Sequence, residues 1–96
     1  MKLEIKNMKS HNGNFVPNQF IIKIKDDIFF QSYSTVIAQK KLCLNNGQYQ
    51  IFLDNKAFKH SMTTNKYLYK FLNMNRKEIE QEIKGKEIKL KKLKLK

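Results

Sequence analysis

Gln19-Phe20-Ile21-Ile22-Lys23-Ile24-Lys25-Asp26-Asp27-Ile28-Phe29-Phe30-Gln31-Ser32-Tyr33 reads as two strands and the turn between them. Phe20, Ile22 and Ile24 fall on one face and Lys23 and Lys25 on the other, the period-two pattern of a half-buried strand over 19–25. Asp26-Asp27 is a two-residue connection, and Ile28–Tyr33 returns as the second strand, so residues 19–33 form a hairpin. Successive side chains on a strand point to opposite faces, which separates Phe29 from Phe30, so one of them could be exposed.

The same alphabet continues outward. Leu3, Ile5 and Met8 mark a short first strand, followed by the turn cluster Ser10-His11-Asn12-Gly13-Asn14. Pro17 lacks an amide hydrogen and limits sheet pairing on its flank. Val36–Leu44 is apolar and β-prone. Asn46-Gly47 is the strongest turn signal, because both residue types tolerate positive φ. Tyr49–Leu53 pairs back as a second hairpin.

Near residue 61 the period changes. Tyr67, Leu68, Phe71 and Leu72 recur at helical spacing, with Lys66 and Lys70 off that stripe. Ser61, Thr63 or Thr64 can cap the helix start. Asn73-Met74-Asn75 interrupts it, and Asn75 with Glu78 has the spacing of a capping box for a second helix through Lys84. Gly85 is placed to end that helix. Residues 87–96 are read as a basic terminal strand or tail: Ile88 and Leu90 alternate with lysines, then Leu93 and Leu95 do so out of phase. The expected class is α+β in one small domain, residues 1–96, with an antiparallel sheet of about four to six strands and one or two C-terminal helices packed on one face.

Charge is the strongest functional signal. Nineteen lysines and one arginine stand against eight acids, a net charge of +12 on 96 residues. Seven of the lysines lie in residues 84–96. Residues 1–60 carry net +5 and the shorter stretch 61–96 carries +7. Ten asparagines and ten isoleucines accompany the lysines, the bias of an AT-rich genome, which also accumulates lysine without selection. The clustering at the end is what that bias does not explain. A surplus of this size on a small body seeks polyanions. Lys84, Lys86, Lys89, Lys91, Lys92 and Lys94 are the candidate contacts with nucleic acid or with a partner. Lysine is a mobile point charge without arginine's bidentate fork, so such contacts give affinity and little base discrimination.

Catalytic and metal-binding constellations are sparse. Asp54, His60 and Ser61 contain the residue types of a triad, but no nucleophile elbow accompanies them, and a turn and a helix cap account for them. One cysteine and two distant histidines lack metal-ligand spacing, and Asp26-Asp27 alone does not make a cation site. No glycine-rich phosphate loop is present. No enzyme activity, cofactor or metal is therefore expected. Cys43, between Leu42 and Leu44, reads as a reduced packed thiol. Neither a transmembrane run nor a secretory h-region is visible, which favours the cytoplasm. Among the aromatics, Phe29, Phe30, Tyr33, Tyr49 and Phe52 lie on expected strands. Most should build the core, and any left exposed among lysines could stack bases.

Asn18-Gln19-Phe20-Ile21-Ile22, Phe30-Gln31-Ser32-Tyr33, Ile37-Ala38, Ser61-Met62-Thr63-Thr64-Asn65-Lys66-Tyr67 and Phe71-Leu72 together resemble the landmarks of a small uncharacterised family from bacteriophages and other mobile elements. The resemblance covers residues from about 7 to 93. Two stretches depart from it: the tail is more basic, and Phe58-Lys59-His60 stands where an aromatic-acid-aromatic pattern is expected. The resemblance implies an accessory protein and no site. The expected function is a non-enzymatic binder in the host cytoplasm. It would dock its basic surface on a host ribonucleoprotein or nuclease complex as an inhibitor of CRISPR-type defence. The alternative is direct, weakly specific nucleic-acid binding in phage genome handling.

Overall fold

Residues 19–33 pair as a hairpin in the computed structural model, which describes residues 3–43 and 47–93. The strands are β1 (Leu3–Lys9), β2 (Phe15–Ile24), β3 (Asp27–Ser32), β4 (Thr35–Cys43), β5 (Gln48–Asp54) and β6 (Ile88–Lys91). The helices α1 (Met62–Leu72) and α2 (Arg76–Lys84) lie between β5 and β6. The six strands form one sheet in the order β1-β2-β3-β4-β5-β6. The first four pairings are antiparallel, and β6 runs parallel to β5. A parallel partner cannot be reached by a tight turn, and α1 and α2 supply the crossover it needs. The expected α+β class holds, with this parallel edge as an addition.

Turn chemistry differs from expectation by one residue. The β2–β3 turn is Lys25-Asp26, not Asp26-Asp27, since Ile24 pairs with Asp27. Lys25 takes the positive φ, 54°. Pro17 lies inside β2, where the β1–β2 register shifts between Asn7 and Lys9. The irregularity accommodates a residue with no amide hydrogen for the ladder. Of the Asn46-Gly47 signal, Gly47 has φ 69° and precedes β5, while Asn46 lies outside the described residues.

The register sorts side chains into two rows crossing the whole sheet. Lys6, Ile21, Phe30, Ala38, Leu53 and Leu90 stand opposite one another from β1 to β6 on the helix side. Ile5, Ile22, Phe29, Gln39, Phe52 and Lys89 form the row on the far side. The main core is on the helix side, where Phe30, Ala38 and Leu53 meet Leu68, Phe71, Leu72 and Ile79. Phe30 is fully buried and stacks on Phe71, with ring centroids 5.7 Å apart. The far side carries a smaller cluster of Ile22, Phe29, Val36 and Leu93. Leu93 follows β6, and its backbone N–H donates to Asp54 Oδ1 at 3.0 Å. Phe29 is consequently only 4% exposed. Neither phenylalanine of the pair is exposed, because Leu93 beyond β6 packs over the second face.

The helix ends follow local chemistry. Ser61 is the N-cap of α1 and accepts from the Thr64 amide. Asn75 and Glu78 form the reciprocal capping box of α2. Asn73 ends α1 in the left-handed region, φ 56°. At the end of α2 the left-handed residue is Lys86, φ 62°, while Gly85 keeps φ −77°. The amides of Lys86 and Glu87 close onto the carbonyls of Ile83 and Glu82, a Schellman motif with lysine in the position glycine prefers. Lys86→Gly is therefore expected to stabilise the fold by about 0.5–1 kcal/mol. Gly85→Ala is expected to gain slightly, because a Cβ there meets nothing closer than 3.5 Å. Thermal unfolding of the two variants checks both; a fall in Tm for Lys86→Gly contradicts this reading of the cap.

Candidate nucleic-acid interface

Every described lysine except Lys40 is exposed. Lys40 lies on the helix side of β4, where its ammonium donates to the Phe71 carbonyl at 2.7 Å and sits 4.6 Å from the Phe71 ring centre. Burial pushes its pKa below the usual lysine value. That charge is spent on the end of α1. The others face solvent and form separate groups.

Of the six lysines selected from sequence, the five described do not converge on one surface. Lys84 ends α2 and lines a hollow on the helix side together with Asp54 and Glu80. Lys86 is the left-handed residue beyond α2. Lys89 and Lys91 alternate onto the far side of β6, where the Lys91 ammonium lies 4.2 Å from the Phe52 ring centre. Lys92 follows β6, and Lys94 lies outside the described residues. The structure thus joins Lys89 and Lys91, with Lys41 of β4 on the same side, around a half-buried Phe52. It separates them from Lys84. Tyr33 (61%) and Tyr49 (49%) are exposed, so part of the expected aromatic display exists, but on turns and strand ends.

A second basic group was not anticipated. The helices contact β3 and β6 and leave the helix-side surface of β1 and β2 partly open. A groove of about 770 Å³ lies there, between the hairpin and the end of α1. Lys6, Lys9, Lys23 and Lys70 line it, and Met8, Ile21 and Phe71 supply apolar surface. The Lys70 ammonium donates to the Lys9 carbonyl, tying α1 to the strand. Lys9 lies 5.1 Å from the ring centre of Phe15, which is 67% exposed. Among the described residues no carboxylate lines the groove, although Glu4 stands opposite Lys23 in the ladder. Phosphate neutralisation by lysine and stacking on an exposed ring are the two interactions such a surface offers.

Part of the signal for these residues was present in the sequence. Alternation already set Lys23 opposite Phe20, Ile22 and Ile24, and Lys70 off the α1 stripe. What no local pattern reveals is that the helices cover the Lys23 side of the sheet and leave its first two strands partly open.

Of the three triad residue types, Asp54 and Ser61 are used structurally. Asp54 accepts from the backbone amides of Lys56 and Leu93. The Ser61 hydroxyl accepts from the Thr64 amide and donates to the Thr64 hydroxyl. His60 Nε2 is buried, with no hydrogen-bond partner among the described residues. Also among those residues, no three His, Cys, Asp or Glu side chains gather as a metal-binding group, and no helix is long and apolar enough to cross a membrane. Cys43 is half-buried at the end of β4 as a free thiol.

In comparison with known proteins, the profile described as Family of unknown function (DUF8033) fits residues 3–89. No curated protein and no solved structure matches the chain.

Proposed function

The chain belongs to that family of unknown function, and from its own surface we propose a non-enzymatic accessory protein of a bacteriophage or other mobile element. It acts in the host cytoplasm by docking basic surface on a ribonucleoprotein or nuclease complex, as an inhibitor of CRISPR-type defence. The observation that carries this reading is the unneutralised charge: twenty cationic side chains against eight acids, with every described lysine but Lys40 facing solvent. The sequence landmarks support the mobile-element origin. The structural use of Asp54 and Ser61 supports a binding role over a hydrolytic one.

A second reading, direct and weakly specific binding of nucleic acid, is favoured by the groove of Lys6, Lys9, Lys23 and Lys70 beside Phe15. Affinity purification from defence-bearing host lysate, with and without nuclease, separates the two. The first reading expects an identifiable nuclease or ribonucleoprotein at fixed stoichiometry that survives nuclease treatment, with loss of defence on expression. The second expects nucleic acid alone, released by nuclease. Capture of neither at low ionic strength contradicts both.

A further inference from the structure

We propose that the groove between α1 and the β1–β2 hairpin is a seat for single-stranded nucleic acid, a site resting on the reading that the basic surface engages polyanions. The charge is one-sided: among the described residues four lysines line the groove and no carboxylate does. The hollow at the other end of the helix layer differs, since Asp54 and Glu80 line it beside Lys84. The lysines come from three elements, β1, β2 and α1, so they border the groove on more than one side. Each ammonium has three donors, and the bond from Lys70 to the Lys9 carbonyl leaves two for a ligand.

Between the charges the surface is apolar and aromatic. Phe71 and Ile21 lie in the groove, and Phe15 presents its ring at the edge. A duplex offers phosphates to such a surface but keeps its base faces stacked inside. An acidic peptide satisfies the lysines and leaves the exposed Phe15 ring without a stacking partner. Unpaired bases on a phosphate backbone use both. Lysine contacts and ring stacking read no base edges, so the site tolerates sequence. The far-side group around Phe52 is weaker in this respect, because that ring is half-buried whereas Phe15 is 67% exposed.

The test is fluorescence anisotropy with a short labelled oligothymidylate, the corresponding duplex and a polyglutamate peptide, titrated across salt. Wild type is compared with Lys6→Gln/Lys9→Gln/Lys70→Gln, with Phe15→Ala, and with Lys84→Gln/Lys89→Gln/Lys91→Gln. All the substituted side chains are exposed, and circular dichroism melts confirm that each variant folds. Single strands lose about 0.7 in the slope of log K against log salt for each phosphate contact removed, so the groove variant is expected to flatten the slope by about 2. Phe15→Ala is expected to weaken binding at least about five-fold, and the C-terminal variant to flatten the slope by less than the groove variant does. A slope that follows the C-terminal lysines instead overturns the groove while sparing the polyanion reading. Duplex or polyglutamate binding as tight as the single strand overturns the choice of ligand. No binding of any probe at 50 mM salt removes the reading on which the site rests.

Discussion

Phe30→Ala is expected to lower folding stability by about 3–5 kcal/mol. Phe30 occupies the centre of the helix-side row, with Ile21 on one flank and Ala38 on the other, and α1 lies over it through Phe71. Removing the ring loses its transfer free energy and leaves a cavity. The opposing residue cannot fill that cavity, because Ala38 is already small and itself fully buried. A small domain has about 5–15 kcal/mol in total, so the variant sits near the edge of folding. Its Tm should fall by more than about 12 °C. Phe29→Ala should cost less, because the cluster on its side is smaller and is closed by Leu93, next to the end of the described chain. Chemical denaturation of the two variants checks the order; equal losses would mean that both faces of the sheet carry the same share of the core.

That asymmetry marks where local sequence stops being informative. The hairpin of residues 19–33, the Ser61 cap and the Asn75–Glu78 capping box were legible because each depends on neighbours within a few residues. The one-residue shift of the β2–β3 turn was not. Lys25 and Asp26 lack the glycine or asparagine that would mark positive φ, and pairing of Ile24 with Asp27 is what settles the turn. Gly85 pointed to the correct helix end but not to the residue that bears the left-handed conformation, Lys86.

Longer-range arrangements were hidden for a different reason. Parallel pairing of β6 depends on where residues 55–87 return the chain, and alternation in Ile88–Lys91 is the same for either strand direction. The burial of Phe29 depends on Leu93, 64 positions away in sequence. The site follows the same rule. The terminal lysines stood out because they are adjacent in sequence. The groove lysines, drawn from β1, β2 and α1, become neighbours only when the sheet and helix have packed.

The second large effect is the response to salt. A polyanion bound by lysines releases condensed counterions, so affinity falls along a straight line in log K against log salt, with a slope of about −0.7 for each phosphate contacted on a single strand. With the four groove lysines engaged, the slope is about −2.8, and raising salt from 50 to 200 mM weakens binding about 50-fold. Lys23 should give the smallest share, since Glu4 stands opposite it in the ladder. Hydrophobic docking of the Phe52 side would respond in the other sense or not at all.

The most direct test of the account is this titration on the unmodified protein: oligothymidylate affinity measured between 50 and 200 mM salt. A linear loss of about 50-fold agrees with a basic surface completed by a polyanion. Affinity that stays level across that range, or no binding at its lower end, contradicts it.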